Sequence, residues 1–118
     1  MQYLLLIYNA ESQWKTMSEA DGAKMLQEFG EFTKSIIASG NYVGGNRLHD
    51  VASATTVRVR EGKKLATDGP FAETKEQLGG YYLIQADDLD QAAAIAARIP
   101  AARVGSIEVR PVWETARP

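Results

Sequence analysis

Apolar residues recur along the chain with two periods, one typical of helices and one typical of strands. Between Met25 and Ile36 they recur every three or four positions, which predicts an amphipathic helix. A second, alanine-rich helix is predicted from Asp88 to Ile99, because Asp88 is a good N-cap and a proline follows Ile99. Strand patterns occupy residues 2–8, 42–48, 54–60, 80–85 and 105–112.

These elements follow one another as strand, helix, strand with a hairpin excursion, strand, helix and strand. That order predicts an α+β sandwich of ferredoxin-like βαββαβ topology, with residues 11–16 in a loop that contains Trp14. A length of 118 residues predicts a single domain over residues 1–118. Two helices cover only one face of such a sheet. An apolar open face is normally buried by a second copy or a ligand, so we expect a homodimer.

Composition narrows the classes of partner. Thirteen basic and fifteen acidic residues give a net charge of -2, so no direct nucleic-acid partner is expected. The absence of cysteine excludes disulfides and every cysteine-based metal site, and a single histidine, His49, leaves little for metal chemistry. No metal and no cofactor are therefore predicted. No apolar run is long enough to span a membrane or to form a signal sequence, so we expect a complete, cytoplasmic protein without a membrane partner.

Three candidate site residues lie at the end of the predicted hairpin and in the segment that follows it. Asp68 precedes Gly69, a residue that allows a sharp turn, so its carboxylate would project as a general base or else cap the turn. Glu73 and Lys75 would place opposite charges around a polar ligand, although the same spacing suits a solvated helical turn.

Two further candidates lie on predicted strands. Arg110 would clamp an anion if its strand faces a dimer cleft, and Glu108 points to the same face. Tyr81 and Tyr82 are adjacent, so one faces the helices and the other faces the open side of the sheet.

Other patterns carry less chemistry. The neighbouring residues His49 and Asp50 point opposite ways in an extended segment, so they would not readily form a dyad. The glycine pairs at 44–45 and 79–80 lack the spacing of a phosphate-binding fingerprint.

Three blocks give the chain a family resemblance: D-G-P-F-A-E-T-K-E-Q-L-G-G-Y-Y at 68–82, A-T-T-V-R at 54–58 and I-E-V-R-P at 107–111. Together they resemble the DGPF proteins of the YCII-related superfamily of small bacterial proteins. The resemblance implies a dimeric α+β barrel in which two sheets face each other around a cleft. Some members of the wider superfamily use a His and Asp pair, with the histidine in or near the first helix. This chain has no histidine before His49.

The resulting hypothesis is a cofactor-independent small-molecule-binding protein, or a lyase-type acid–base enzyme, that acts in the dimer cleft. Asp68 and Glu73 would be the catalytic carboxylates, and a small anionic or phenolic ligand would be held by Lys75, Tyr81 and Arg110. The alternative is a non-catalytic accessory protein, because genes of DGPF proteins often lie beside those of extracytoplasmic-function sigma factors. An oxygenase-like activity is an expectation from fold analogy only.

Overall fold

The strands form one four-stranded sheet and one separate hairpin in the computed structural model, which describes residues 1–114. The sheet contains β1 (Gln2–Asn9), β2 (Tyr42–Arg47), β5 (Gln77–Gln85) and β6 (Ser106–Pro111), and the hairpin contains β3 (Thr55–Arg60) and β4 (Lys63–Asp68). The helices are α1 (Glu11–Thr16), α2 (Glu19–Ala38) and α3 (Leu89–Ala97), with single 3₁₀ turns at Val51–Ser53 and Pro100–Arg103.

All neighbouring strands of the sheet are antiparallel, and their order is β2-β5-β1-β6. The helix α2 connects β1 to β2 and leaves a space between these two strands that β5 fills, which is a split βαβ unit. This order is compatible with ferredoxin-like topology, and it confirms the predicted sequence of elements. β6 is an edge strand, which accounts for Pro111 at its end.

The core lies between the helices and one face of the sheet. Along β1 every second side chain is buried, from Tyr3 through Leu5 to Ile7, and the stripe predicted on α2 contributes Phe32 and Ile36. The largest fully buried side chains come from both the sheet and the helical layer: Leu5, Ile36, Ile84 and Ile99. Each such side chain stabilises the fold by about 1.5–3 kcal/mol relative to an exposed position.

The predicted helix starts are confirmed. The hydroxyl oxygen of Ser18 accepts a hydrogen bond from the backbone N–H of Asp21 at 3.1 Å. At α3 the Asp88 carboxylate accepts from the N–H of Gln91 at 2.8 Å, and the Gln91 side chain accepts from the N–H of Asp87. Both helices thus begin with side-chain partners for backbone donors that have no partner inside the helix.

One predicted loop is wrong: residues 11–16 form the short helix α1. Its first N–H, that of Glu11, donates to the side-chain oxygen of Gln77 at 2.9 Å. The cap therefore comes from β5, more than sixty positions along the chain, and local sequence does not reveal it. Gln77 also begins β5 three residues earlier than the predicted strand at 80–85.

The hairpin β3–β4 projects from the rest of the molecule. Its alternating pattern predicts one covered face, but Val57 and Val59 are 58% and 62% exposed, and every residue of the hairpin other than Thr56 is exposed. The radius of gyration is 16.4 Å, against about 13.5 Å for a typical compact chain of this length. Nothing within the described chain covers the apolar face of this arm.

Two neighbouring isoleucines on α2 test the core assignment. Ile36→Ala removes a fully buried side chain and is expected to lower the free energy of unfolding by about 2–5 kcal/mol. Ile37→Ala, the matched control at a 55% exposed position, is expected to change it by no more than about 0.5 kcal/mol. Urea unfolding followed by circular dichroism measures both, and equal losses would contradict the described packing of α2.

Candidate functional site

A cavity of about 250 Å³ lies between the helix-covered face of the sheet and the helices α1 and α2. Its floor is formed by β1, β2 and β5, and α2 supplies one wall with Leu26 and Phe29. Trp14 of α1 lies at the side of the cavity. Its lining is mainly apolar, as in most ligand sites.

Glycines on adjacent strands leave the floor of the cavity bare. A Cβ at Gly45 would lie 2.9 Å from the ring of Tyr82, and one at Gly80 would lie 2.9 Å from the carbonyl oxygen of Asn46. Real Cβ atoms do not approach other atoms this closely, so both positions require glycine. The same two residues face the cavity. The two glycines therefore contribute only backbone to the lining of the cavity.

Asn9 is the buried polar residue of the site. Its side chain is only 7% exposed and lines the cavity, and no group in residues 1–114 forms a hydrogen bond with it. No fully buried side-chain polar atom in this part of the chain lacks a partner, so the Asn9 amide is accessible from the cavity. Its donor and acceptor atoms are therefore available to a bound molecule or to water.

Two hydroxyl groups meet at the α2 wall. The oxygens of Thr33 and Tyr82 are 2.7 Å apart. Because the Thr33 hydroxyl donates to the carbonyl oxygen of Phe29 at 2.9 Å, the Tyr82 hydroxyl is the donor of the pair. Burial raises the pKa of Tyr82 above its usual range, the hydrogen bond with Thr33 offsets part of the rise, and the neighbouring Tyr42 adds to it. Tyr82 is therefore a neutral hydrogen-bonding group at physiological pH.

Arg47 closes one side of the cavity. Its guanidinium carbon lies 5.0 Å from the centre of the Trp14 ring, which is a cation–π contact. Among the described residues that line the cavity, Arg47 is the charged one. The ion pair found in residues 1–114 joins Arg103 to Glu28, so Arg47 has no carboxylate partner there.

The structure does not bring the five predicted site residues together within one chain. Asp68 ends β4, and Glu73 and Lys75 lie in the loop before β5; all three are exposed. The turn after Asp68 is well fixed, because Gly69 has a φ of +96° and its N–H donates to the carbonyl oxygen of Ala54 at 2.7 Å. The motif is thus an ordered turn at the root of the arm, on the outside of the chain.

Tyr81 and Arg110 lie on the open face of the sheet. Tyr82 is buried beneath the helices, so its neighbour Tyr81 faces the other way, as alternation predicts. Arg110 shares the open face with Glu108, whose carboxylate lies 3.4 Å from the hydroxyl of Tyr8. Of the five predicted site residues, Tyr81 alone also lines the cavity.

The sequence patterns place Trp14 in a loop without a role in the site, and they do not identify Asn9 and Arg47. The signal that points to them is the pair of glycine dipeptides on neighbouring strands, which removes side chains from one patch of the sheet. His49 and Asp50 are exposed beside a smaller recess, and their region contains no metal site. Across residues 1–114 no group of three histidine or acidic side chains is arranged to hold a metal ion. In that same range, no helix is both long and apolar enough to cross a membrane.

Comparison with known proteins identifies relatives over nearly the whole chain. The family model of the YCII-related domain matches residues 1–116. An uncharacterized protein of Rhizobium meliloti (strain 1021) is 36% identical over 114 residues, which cover 95% of this chain and 92% of that protein. The similarity therefore includes the cavity, the arm and the D-G-P-F block.

The raised pKa of Tyr82 has a measurable consequence for stability. Unfolded chains lose the phenolic proton near pH 10, before the folded protein does, so the stability that Tyr82 contributes falls as the pH rises above about 10. In Tyr82→Phe this fall is expected to be smaller. At pH 8 the variant is expected to be about 1 kcal/mol less stable, because one hydrogen bond is lost.

Urea unfolding between pH 8 and 11 measures this difference. A Tyr82→Phe variant with the wild-type slope would contradict the burial of this phenol.

Proposed function

The chain belongs to the YCII-related family, and we propose that it binds a small molecule in the helix-side cavity, without a cofactor. Asn9 carries this proposal, because a side chain that is 7% exposed and lacks a protein partner faces a mainly apolar space. Sites for small molecules combine apolar walls with a few convergent polar groups. Here those groups are Asn9, the hydroxyl of Tyr82 and the guanidinium of Arg47.

The proposal includes a homodimer formed through the open sheet face. Leu4, Leu6, Tyr81 and Leu83 lie together on this face, and only part of their surface is covered within one chain. Four strands over six residues project about 400 Å², whereas a stable interface needs about 800 Å² per partner. The exposed arm β3–β4 is the nearest additional apolar surface. Two copies joined through the sheet face and the arms would form the dimeric α+β barrel that the family resemblance implies.

The proposal also includes acid–base chemistry by charged side chains that the dimer would bring into a cleft. Asp68, Glu73 and Lys75 are exposed around the root of the arm, and the hydroxyl of Thr56 donates to the carbonyl oxygen of Gly69 at 2.8 Å, which holds that turn in place. A partner copy that covers the arm would remove water from around these three charged side chains. The side chains would then line a cleft between the two copies. Arg110 on the open sheet face would then serve as an anion clamp.

A second candidate is the accessory protein associated with sigma-factor signalling. Phe71 of the D-G-P-F turn is 78% exposed, and an aromatic side chain in an ordered turn is a typical anchor for a protein partner. Either function is compatible with the bacterial cytoplasm, where we propose that the protein acts.

Replacement of one glycine tests the cavity. A Cβ at Gly79 would lie 3.2 Å from the Asn9 side-chain oxygen, so Gly79→Ala shifts the amide by a few tenths of an ångström. Gly44→Ala is the matched control, because no atom lies within 4 Å of its Cβ. A thermal-shift screen of small carboxylates and phenols supplies the ligand, and a ligand at 100 times its Kd adds about 2.7 kcal/mol. Gly79→Ala is expected to weaken its binding several-fold, because the hydrogen bond with the amide is strained but not removed.

Asp68→Ala distinguishes the cavity from the dimer cleft as the binding site. A ligand held by Asn9 binds this variant as it binds the wild type, since Asp68 lies on the arm. Loss of binding in Asp68→Ala, with binding retained in Gly79→Ala, would overturn the cavity as the site and favour the cleft.

A charge on the open sheet face tests the dimer. Leu6→Asp is expected to convert the dimer to a monomer, because an unpaired carboxylate in an apolar interface is costly. Leu89→Asp, at a 54% exposed position on α3, is the control and is expected to remain dimeric. Light scattering coupled to size-exclusion chromatography gives the mass of each. A monomeric wild type, or a dimeric Leu6→Asp, would contradict the proposed interface.

A further inference from the structure

We infer that the cavity takes a flat, single-ring aromatic acid, with its anionic group at Arg47 and a neutral polar group at Asn9. This inference rests on the proposed function, since it names the ligand class for the same cavity. A dry cavity of 150 Å³ is known to hold benzene. A volume of about 250 Å³ therefore leaves room for one ring and its substituents.

The shape of the cavity favours a flat apolar body. On the floor, Gly45 and Gly80 expose bare backbone where other strand residues would project side chains. The walls are apolar and aromatic, with Phe29 on one side and Trp14 on another. An aromatic ring buries a large area and gains further from offset or edge contacts with other rings.

The charge at the mouth favours an anion. The guanidinium of Arg47 lies over the Trp14 ring, and within residues 1–114 no carboxylate is in ion-pair contact with it, although Glu11 and Asp50 line the adjoining recess. No hydrogen bond within residues 1–114 occupies its N–H groups, so they are free to donate. Those donors match the two oxygens of a carboxylate, which an arginine binds as a fork.

The Asn9 side of the cavity favours a neutral polar group. The amide of Asn9 both donates and accepts. In the adjoining recess, which Asn9 also lines, Glu11 and Lys15 carry opposite charges, so a second charge on the ligand would have no net partner there. A hydroxyl group of the ligand would pair with the Asn9 amide.

The register fixes the separation of the two ends. Arg47 pairs with Gly80, Gly80 pairs with Ile7, and Asn9 is two residues farther along β1. Two strand spacings and two residue rises place the Cα atoms of Arg47 and Asn9 about 12 Å apart. This backbone separation, less the reach of the two side chains, leaves room for one ring and not for two.

Calorimetric titration of the full chain at pH 7.5 tests the inference with three probes: 4-hydroxybenzoate, its neutral amide 4-hydroxybenzamide, and benzoate. The acid is expected to bind at least tenfold more tightly than the amide, and benzoate several-fold more weakly than 4-hydroxybenzoate. Arg47→Gln is expected to abolish the preference for the acid over the amide. Arg47→Lys, which keeps the charge but not the fork, is expected to retain part of it.

Each other result overturns the inference. Equal affinity for acid and amide in the wild type would show a cavity that binds aromatic molecules without selecting an anion, and the proposed function would stand. An unchanged preference in both Arg47 variants would remove Arg47 from the ligand. If none of the three probes binds at 10 mM, the aromatic-acid class is wrong, and the Gly79→Ala comparison with the screened ligand then decides the proposed function separately.

Discussion

The glycines at positions 45 and 80, on β2 and β5, are the constraint on which this site depends. Both are forced by close approach, Gly45 to the ring of Tyr82 and Gly80 to a backbone carbonyl of β2. Because neither position can carry a side chain, only backbone lies there on the floor of the cavity. The helix α2 is held above this floor by the large buried residues Phe32 and Ile36, and α1 adds a wall at the side.

Side chains of β5 alternate between the two faces of the sheet, so one face lines the ligand cavity and the other forms the proposed dimer interface. Tyr82 packs its ring against Phe32 at a centroid distance of 5.2 Å and points its hydroxyl to Thr33, whereas Tyr81 faces the uncovered side. A shift of register by one residue would exchange the two tyrosines and close the cavity. The register of the β1–β5 pairing changes at a bulge between Ile7 and Tyr8. Beyond this bulge Asn9 still faces the helices, as Ile7 does.

Periodicity and caps were sufficient to predict the order of elements, the buried stripe of α2 and the starts of α2 and α3, because those signals are local. The helix α1 could not be predicted, since its first N–H depends on Gln77. The candidate site was harder still. Asp68 belongs to the most distinctive sequence motif, yet in the structure that motif is an exposed turn. The glycine pairs do not match a phosphate-binding loop, and their role becomes visible only from the pairing of β2 with β5. Asn9 carries no sequence signal at all, because an asparagine that ends a strand usually faces solvent.

The arm and the cavity are mechanically connected, which links assembly to ligand binding. A two-stranded hairpin is marginal alone in water, so β3–β4 needs a covering surface to become rigid. Its root is held at Val51, whose N–H donates to the carboxylate of Glu11 at 2.9 Å. Glu11 begins α1, and the same short helix carries Trp14 against Arg47. A partner that fixes the arm therefore also fixes the helix that forms one side of the cavity, so the dimer and the bound molecule are expected to stabilise each other.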